Sequence, residues 1–419
     1  MHKFWSRSSA RRPAPVVAFA LCVAVTLVQA ARAQSPAPMR TVSAAAPQEA
    51  ADDWLAQAVK AESEMRLDVA MDRLYAILRE RPGQGDALAA RMRLARLLAV
   101  HGDLPQAIAQ CQIVRDETRD DDPLHRQALD LATILVRRMR AALSPGSAYF
   151  SGAEPLTSRG VQALDEPRAL VTGADGRLLL LDQGAGLVYL IGKDSAAAVA
   201  APPEPTAVTT LPGGGVATVG KTGLVVGTGT GPAAKPIPLS GTWAGKARAV
   251  KKVRSMAALP DGSLLVVDRD YDGVLRCDPA SGTCAPWGPA GKYRVVRVGP
   301  TGWVFLLDDR GQAIRILDPA QRTITVAGPI VGSTKLEDVQ DLAVDQANGF
   351  YLLDTGPKRV LALYIRVAPD GRLGALLGGL LTIPQEGEGA VKNPSAVGVS
   401  PDGAVIVGGK SSARLVRFR

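Results

Sequence analysis

An aspartate recurs at one position of a repeated pattern in the last two-thirds of the chain. It closes the second of two apolar runs in four of six repeated segments, as Asp182, Asp268, Asp308 and Asp354. Carboxylates gathered in this way could form a ring that binds a metal ion. An aspartate at the end of a strand also accepts hydrogen bonds from nearby backbone amides. Repetition in most segments favours this second role, because every repeat needs the same turn.

Arginine recurs near the start of three of these segments, as Arg168, Arg254 and Arg294, and only where the aspartate is also present. The hairpin between the two apolar runs places the two positions nearly opposite each other on antiparallel strands. The pattern therefore predicts three cross-strand pairs: Arg168–Asp182, Arg254–Asp268 and Arg294–Asp308. Two roles remain open for these residues and Asp354. One is structural pairing, and the other is a charged rim at a channel mouth that engages an anionic or zwitterionic group.

Six segments share the underlying pattern of an apolar run, a glycine-containing turn and a second apolar run. They begin at Pro167, Pro205, Val253, Tyr293, Val339 and Pro394. Their turn glycines are spaced by roughly 40 to 50 residues, which is the period of a propeller blade. A third apolar run follows each segment, and a fourth often follows that. Four antiparallel strands in each of six repeats predict an all-β six-bladed propeller over residues 146–419.

The last segment reaches Arg419 directly after its third apolar run. A propeller must close or leave open sheet edges, and open edges promote association. We therefore expect residues 147–165 to supply the fourth strand of the last blade. The candidate segments are 148–151 and 160–164. This closure would connect the region before the propeller directly to its seam.

A small all-α module is predicted for residues 49–145, after a disordered Pro/Ala/Ser-rich linker at 34–48. Two stretches resemble tetratricopeptide repeats, through Trp54, Ala58, Ala70, Leu74 and Pro82 and then Ala95, Gly102, Asp103 and Ala107. Met65 and Arg66 stand where the first repeat would have its turn glycine. A third periodic segment, 124–143, is typical of a capping helix. The resemblance implies a concave groove for proteins or peptides; a packing module without a ligand remains the alternative.

The propeller segments resemble the NHL-repeat family, whose blades have a proline near the start, a Gly-containing turn and a strand that ends in aspartate. The run from Asp354 to Val360 fits this pattern well, whereas Gly220 and Gly409 replace the aspartate in the second and sixth segments. The resemblance implies a six-bladed propeller. Some NHL propellers bind RNA on a basic face, and the run Lys246, Arg248, Lys251, Lys252 and Arg254 beside Trp243 is the best such patch here. We interpret it as a solvated loop and expect no nucleic acid partner.

Residues 1–33 have the features of a secretory signal peptide. Basic residues precede an apolar run at 16–28, and Ala31 and Ala33 offer small residues at a cleavage site. The sequence therefore predicts a periplasmic or secreted protein, with outer-membrane association and a retained anchor left open. Removing this segment lowers the net charge from +9 to +4, which weakens the case for nucleic-acid binding. In an oxidising compartment, Cys277 and Cys284 could form a disulfide across a hairpin.

No recognisable catalytic constellation is present. All three histidines precede the propeller, whereas lyases of this shape need histidine. We predict no cofactor, no metal and a non-catalytic exported scaffold or binding component of an envelope-associated complex. Its partners would be proteins or peptides, bound through the helical groove and a propeller face. The alternatives are a divergent hydrolase or lactonase with a channel metal, and a carbohydrate- or cell-wall-binding propeller that uses Trp243, Trp287 and Trp303.

Overall fold

A computed structural model describes residues 54–83, 85–143, 149–150, 152–156, 164–173, 177–192, 196–228, 234–243, 245–387, 389–410 and 415–419. The predicted signal peptide and the predicted linker at 34–48 lie outside these residues. All of the described residues belong to one compact unit, which contains a helical region and a propeller.

The helical region consists of five consecutive helices, each of which packs against the next. They are α1 (Trp54–Ser63), α2 (Leu67–Glu80), α3 (Gly85–His101), α4 (Leu104–Glu117) and α5 (Pro123–Leu143). Small side chains line their contacts, and Ala58, Ala70, Ala95 and Ala107 are fully buried. Small residues let the helix axes approach closely, which explains the alanine-rich composition of this region.

The turns between paired helices lie where the sequence pattern places them. Gly102 has a positive φ of 87°, and Asp103 caps α4 by accepting a hydrogen bond from the N–H of Gln106 at 3.1 Å. Met65 also has a positive φ, 60°, at the position where the repeat pattern has glycine. The backbone therefore makes the same kind of turn at both places. The tetratricopeptide label itself remains a prediction.

The propeller has six blades, as predicted. Blade 1 contains β2 (Pro167–Thr172), β3 (Leu178–Asp182), β4 (Leu187–Ile191) and β5 (Ala196–Ala198). Blade 2 contains β6 (Ala207–Thr210), β7 (Val216–Gly220) and β8 (Gly223–Gly227), and blade 3 contains β11 (Val253–Ala258), β12 (Leu264–Asp268), β13 (Val274–Cys277) and β14 (Thr283–Trp287). Blade 4 contains β15 (Tyr293–Val298), β16 (Val304–Asp308), β17 (Ile314–Leu317) and β18 (Thr323–Ala327).

Blade 5 contains β21 (Val339–Val344), β22 (Phe350–Asp354), β23 (Arg359–Val367) and β24 (Leu373–Thr382). Blade 6 contains β25 (Pro394–Val399), β26 (Val405–Gly409), β27 (Leu415–Phe418) and β1 (Ala153–Leu156). A hairpin of β9 (Ser240–Trp243) and β10 (Lys246–Ala249) extends blade 3, because β9 pairs with β14. A separate small hairpin joins β19 (Ile330–Val331) and β20 (Thr334–Lys335).

The last blade is closed by a strand from before the first blade. β1 pairs antiparallel with β27, with Ala153 opposite Phe418 and Leu156 opposite Leu415. This strand lies within the predicted range 147–165 but between the two candidate segments. Tyr149 and Phe150, from the first candidate segment, are both buried in a core cluster that includes Tyr351. Two adjacent aromatic side chains that are both buried do not suit an edge strand, whose side chains alternate between faces.

The second strands are among the most buried elements of the propeller. Every residue of β3, β12, β22 and β26 is buried. These strands lie between neighbouring sheets, so both of their faces pack against apolar side chains. This packing explains why they are continuous apolar runs rather than alternating ones. The antiparallel order also defines two faces of the propeller. On the glycine-turn face, each first strand turns into its second strand. On the opposite face, the aspartate face, the second strands end at the position of the recurrent aspartates.

The helical region packs against the glycine-turn face of blades 5 and 6. Arg138 of α5 is almost fully buried, and its guanidinium binds both carboxylate oxygens of Asp345 at 3.0 and 3.1 Å. Asp345 also accepts hydrogen bonds from the N–H of Gly349 and from the hydroxyl of Tyr351. Burial alone lowers the pKa of Arg138, but the Asp345 carboxylate, together with Tyr149 and Tyr351, outweighs this effect and raises it. Arg138 therefore stays charged inside the junction.

Further contacts join the helices to the same turns. Arg96 of α3 donates to the carbonyl oxygen of Gln346 at 2.9 Å, and Arg137 donates to the carbonyl oxygen of Gly403. A side chain at Gly349 would collide with Arg138, so this turn requires glycine for close approach. The junction thus involves the seam blade, as the closure argument predicted, and its neighbour. These contacts do not involve the aspartate face, which lies on the other side of the propeller.

Candidate functional site at the mouth of the central channel

The four recurrent aspartates act as backbone caps on the aspartate face. Asp268 accepts hydrogen bonds from the N–H groups of Lys252 and Asp270, both at 2.8 Å. The other three likewise accept hydrogen bonds from backbone N–H groups, Asp182 from Asp165 and Glu166, Asp308 from Gln312 and Ala313, and Asp354 from Asp338. Each aspartate therefore caps a turn through backbone amides, as expected for turn residues, and Asp354 also binds the guanidinium of Arg359 at 2.8 Å.

The arginines do not pair with these aspartates, and the predicted cross-strand pairs are wrong. In blade 3 the residue opposite Asp268 is Val253, and the register then jumps so that Ser255 lies opposite Val267. Arg254 is the extra residue of a β-bulge. Blades 1 and 4 have the same shift, so Arg168 and Arg294 are bulge residues too. A bulge redirects the side chain of the extra residue, and here it turns each arginine away from its own blade's aspartate.

Two of the three arginines instead contact the next blade. Arg254 forms an ion pair with Asp309, which follows the last residue of β16. Arg294 lies 3.4 Å from Asp338 of blade 5 and donates to the carbonyl oxygen of Asp309 at 2.6 Å. Burial alone raises the pKa of Asp338, but hydrogen bonds from Gln340, Thr355 and Arg294 together lower it below its ordinary value. These pairs connect neighbouring blades around the channel.

Arg168 differs from the other two. Its guanidinium makes no hydrogen bond or ion pair with any residue that the structure describes. The reason lies in the neighbouring blade, where Lys221 follows the last residue of β7 at the position that Asp309 occupies after β16. A cation thus stands where Arg254 has its acidic partner, and Glu204, which stands where Arg294 has Asp338, binds Lys221 at 2.9 Å instead. Burial raises the pKa of Asp341, and Arg168 is close enough to oppose that rise slightly, but it does not bind the carboxyl.

The three bulge arginines lie around one recess at the centre of the aspartate face. Gln340 completes the outer layer, while Ser255, Arg297 and Asp341 lie below, and Ala169, Ala207, Val208, Met256 and Val295 supply apolar walls. The recess opens to solvent but is narrow, with a cavity volume of about 20 Å³. It therefore suits a small charged group at the end of a ligand.

A buried polar network that sequence reasoning missed lies beneath this recess. Arg297 binds Asp341 at 2.8 Å and donates to the Oγ of Ser255 at 3.0 Å. The other oxygen of Asp341 accepts from the N–H of Val397 at 3.0 Å, so the network links blades 3, 4, 5 and 6. Burial raises the pKa of Asp341, with Arg297 opposing it. The sequence does indicate this pair, because Arg297 and Asp341 are charged residues inside largely apolar first strands.

The guanidinium of Arg297 is incompletely satisfied. Its Nε is buried and has no hydrogen-bond acceptor among the described residues. Arg297 also lines the recess. A buried donor without an acceptor is unfavourable and calls for an explanation. The recess thus contains two arginines, Arg168 and Arg297, with unused hydrogen-bond donors.

The other residues singled out in the sequence lie away from this recess. Cys277 and Cys284 are register partners on β13 and β14 and form a disulfide, with sulfur atoms 2.08 Å apart. Trp287 and Trp303 are buried in the core, so neither can stack on a sugar. Trp243 packs edge-on against Tyr271 with ring centroids 5.3 Å apart.

The basic run is divided between two places. Lys246 and Arg248 are exposed on β10, and Lys251 and Lys252 are exposed in the loop that follows. Arg254 instead lines the recess. The run therefore does not present one continuous basic surface.

No three histidine, cysteine, aspartate or glutamate side chains among the described residues are grouped so that they could hold a metal ion. None of the described helices combines the length and the apolar character needed to cross a bilayer.

Comparison with known proteins identified solved propellers only at low similarity. No family model and no curated protein matches the chain. A streptogramin B lyase structure is 10% identical over 64% of this chain and 97% of that one, with a TM-score of 0.42. A gluconolactonase from Xanthomonas campestris is 12% identical over 61% and 87%, with a TM-score of 0.41. An auxiliary nutrient binding protein from Bacteroides ovatus is 12% identical over 66% and 74%, with a TM-score of 0.43. The six-bladed architecture rests on the strand order described above.

Proposed function

We propose that this protein is an exported, non-catalytic binding component of an envelope-associated complex. The observation that carries the proposal is the buried junction between helices and propeller. Arg138 and Asp345 join the two regions through a charged pair that is almost inaccessible to solvent. A helical region attached in this way cannot swing independently, so helices and propeller present one composite surface. Such a rigid surface suits recognition of a partner in a fixed orientation.

Two regions of that surface remain open for partners. The helices expose apolar side chains, including Val59, Val69 and Tyr75 on α1 and α2. Stacked helices commonly bind proteins through such an exposed surface. On the opposite side of the propeller, the aspartate face presents the arginine-lined recess. We infer that the helical surface supplies contact area, and that the recess supplies a polar contact.

The positions of the channel residues support a non-catalytic role over a channel-metal hydrolase. The acidic side chain at the base of the recess, Asp341, is bound by Arg297 and by a backbone N–H. The recurrent aspartates bind backbone amides in the same way as Asp268 does. Carboxylates held by arginine and by amides have few oxygens left to bind a cation. The burial of Trp287 and Trp303 leaves a sugar-binding propeller with little aromatic surface.

The test is affinity capture from the native envelope with the exported protein and two variants. Val69→Asp changes the exposed surface of α2, and Val326→Asp makes the same change at an exposed valine on β18, outside the helices. We expect a defined protein partner that is lost with Val69→Asp and retained with Val326→Asp. Retention by both variants would exclude the helical surface, and absence of any stoichiometric partner would overturn the proposal.

A further inference from the structure

We propose that the recess on the aspartate face binds the free carboxylate of a peptide chain end. The inference rests on the proposed binding function, because it assigns a ligand class to the propeller surface of that scaffold. Arg168 reaches the recess without any partner among the described residues, and Arg297 has a buried Nε without an acceptor. Both groups therefore offer hydrogen-bond donors to an acceptor from outside the described residues. A guanidinium recognises a planar carboxylate through two parallel hydrogen bonds.

The charges around the recess favour a ligand group that carries a single negative charge. Arg254 and Arg294 are balanced by Asp309 and Asp338, and Arg297 is balanced by Asp341. Arg168 is thus the one unbalanced cation of this set. A single carboxylate matches one excess positive charge. A phosphate, with up to two negative charges, would also face repulsion from the nearby Asp341 carboxylate.

The shape and walls of the recess agree with a chain end. The narrow interior admits a terminal group but not a whole ligand, so the rest of the ligand must extend out across the aspartate face. Small apolar side chains, Ala169, Ala207 and Val208, lie beside the arginines. They offer contact to the side chain of a small terminal residue such as alanine. A peptide that ends in a free carboxylate combines these features.

The placement of Arg168 results from two sequence features acting together. A bulge in β2 turns the residue toward the channel, and Lys221 occupies the place where a neighbouring aspartate would have bound it. Blades 3 and 4 have the same bulge but also have the acidic partner. Blade 1 is therefore specialised among the arginine-bearing blades. The specialisation opens a binding position without changing the fold.

The experiment measures binding of defined probes to the full exported protein by saturation-transfer difference NMR. The probes are N-acetyl-alanyl-alanine with a free carboxylate, the same dipeptide as its amide, and inorganic phosphate. We expect the free acid to give saturation transfer and the amide to bind at least tenfold more weakly, since hydrogen bonds to a charged acceptor are stronger than those to a neutral one. If phosphate binds and displaces the dipeptide acid, the recess is a general anion site and the proposed specificity for a peptide chain end is wrong. No signal from any probe would overturn the proposal.

Two variants assign the signal to the recess. Arg168→Gln should reduce binding of the free acid at least tenfold. Arg248→Gln removes the same charge from an exposed position on β10 and should leave binding unchanged. Equal loss in both variants would mean that the probe senses net charge alone, and the proposal would fail. Acid binding without a captured protein partner would instead retain this site and overturn the proposed scaffold role. A captured partner that is insensitive to Arg168→Gln, with no acid binding, would retain the scaffold and remove the site.

Discussion

The two faces of the propeller use the same pair of residue types for different purposes. On the glycine-turn face, Arg138 and Asp345 are nearly inaccessible and satisfy each other and the surrounding backbone. On the aspartate face, Arg254 and Asp309 lie at the edge of an open recess, with side chains 27% and 40% exposed. Burial makes the first pair sensitive to loss of either partner. Exposure makes the second weak and leaves its neighbour, Arg168, available for other groups. Burial and surroundings, rather than residue type, therefore distinguish a junction from a binding surface.

The largest loss of stability is expected at the junction, where the charged pair is most deeply buried. Arg138→Met leaves the Asp345 carboxylate buried without its cation, and this change should lower the free energy of unfolding by about 3–5 kcal/mol. Urea denaturation of purified protein measures it. Arg140→Met, at an exposed position of the same helix, is the control and should change stability little. Equal losses in the two variants would show that the junction does not depend on the buried pair.

The stability of blade 3 is expected to depend on the Cys277–Cys284 disulfide, which lies on the glycine-turn face. Cys277 and Cys284 are seven residues apart, and closure of so short a loop contributes about 2–3 kcal/mol. Cys284→Ser should therefore lower the free energy of unfolding of exported protein by that amount. A reducing agent should remove the difference between parent and variant. Parent protein whose stability is unaffected by reduction would show that the link is absent or unimportant.

Asp130 of α5 provides a pH-dependent test of the junction. Burial and the nearby Asp402 carboxylate raise the pKa of Asp130 to about 6 from an ordinary value of 3.8. The folded state then binds this proton more tightly than the unfolded state, so stability falls as the pH rises from about 4 to 6. Asp130→Asn removes this penalty. The variant should be more stable than the parent by about 1 kcal/mol at pH 7, after allowance for solvent screening, and equal to it near pH 4.

The comparison for this test is Asp121→Asn at an exposed position just before the same helix. It should change stability little at either pH, because an exposed charge contributes little to the free energy of unfolding. Urea denaturation at pH 4 and pH 7 gives the required differences. A stability gain for Asp130→Asn that is the same at both pH values would contradict the assigned protonation.

The smallest effect is expected at the recess, where it also tests the inter-blade pairing. Arg254→Ala and Asp309→Ala should each lower the free energy of unfolding by no more than about 1 kcal/mol, because the pair is partly exposed. The double variant should lose less than the sum, since both changes remove one interaction. Arg254→Ala combined with Asp268→Ala should instead be additive. Coupling between Arg254 and Asp268 would restore the cross-strand pairing that the structure contradicts.

Much of the architecture follows from periodicity that is visible in the chain. The six segments, the apolar second strands and the closure of blade 6 from residues 147–165 all follow from burial and edge pairing, which leave a regular trace in sequence. The role of the closing aspartates was also predictable, because a turn that recurs in most blades needs its amides bound in each one. Cys277 and Cys284 could be placed opposite each other because the turn between them is short.

The candidate site depended on a bulge and on contacts between blades, which leave no regular pattern in the sequence. A single bulge residue in β11 moves Arg254 out of register with Asp268 and toward a different blade, although the alternation of apolar residues looks the same. The Arg297–Asp341 pair joins residues of separate blades, and Arg138–Asp345 joins residues 207 positions apart. Local patterns specify strands and turns because their hydrogen bonds are local. Which charged groups meet depends on how blades and helices stack, and this is set by the packing of the whole chain.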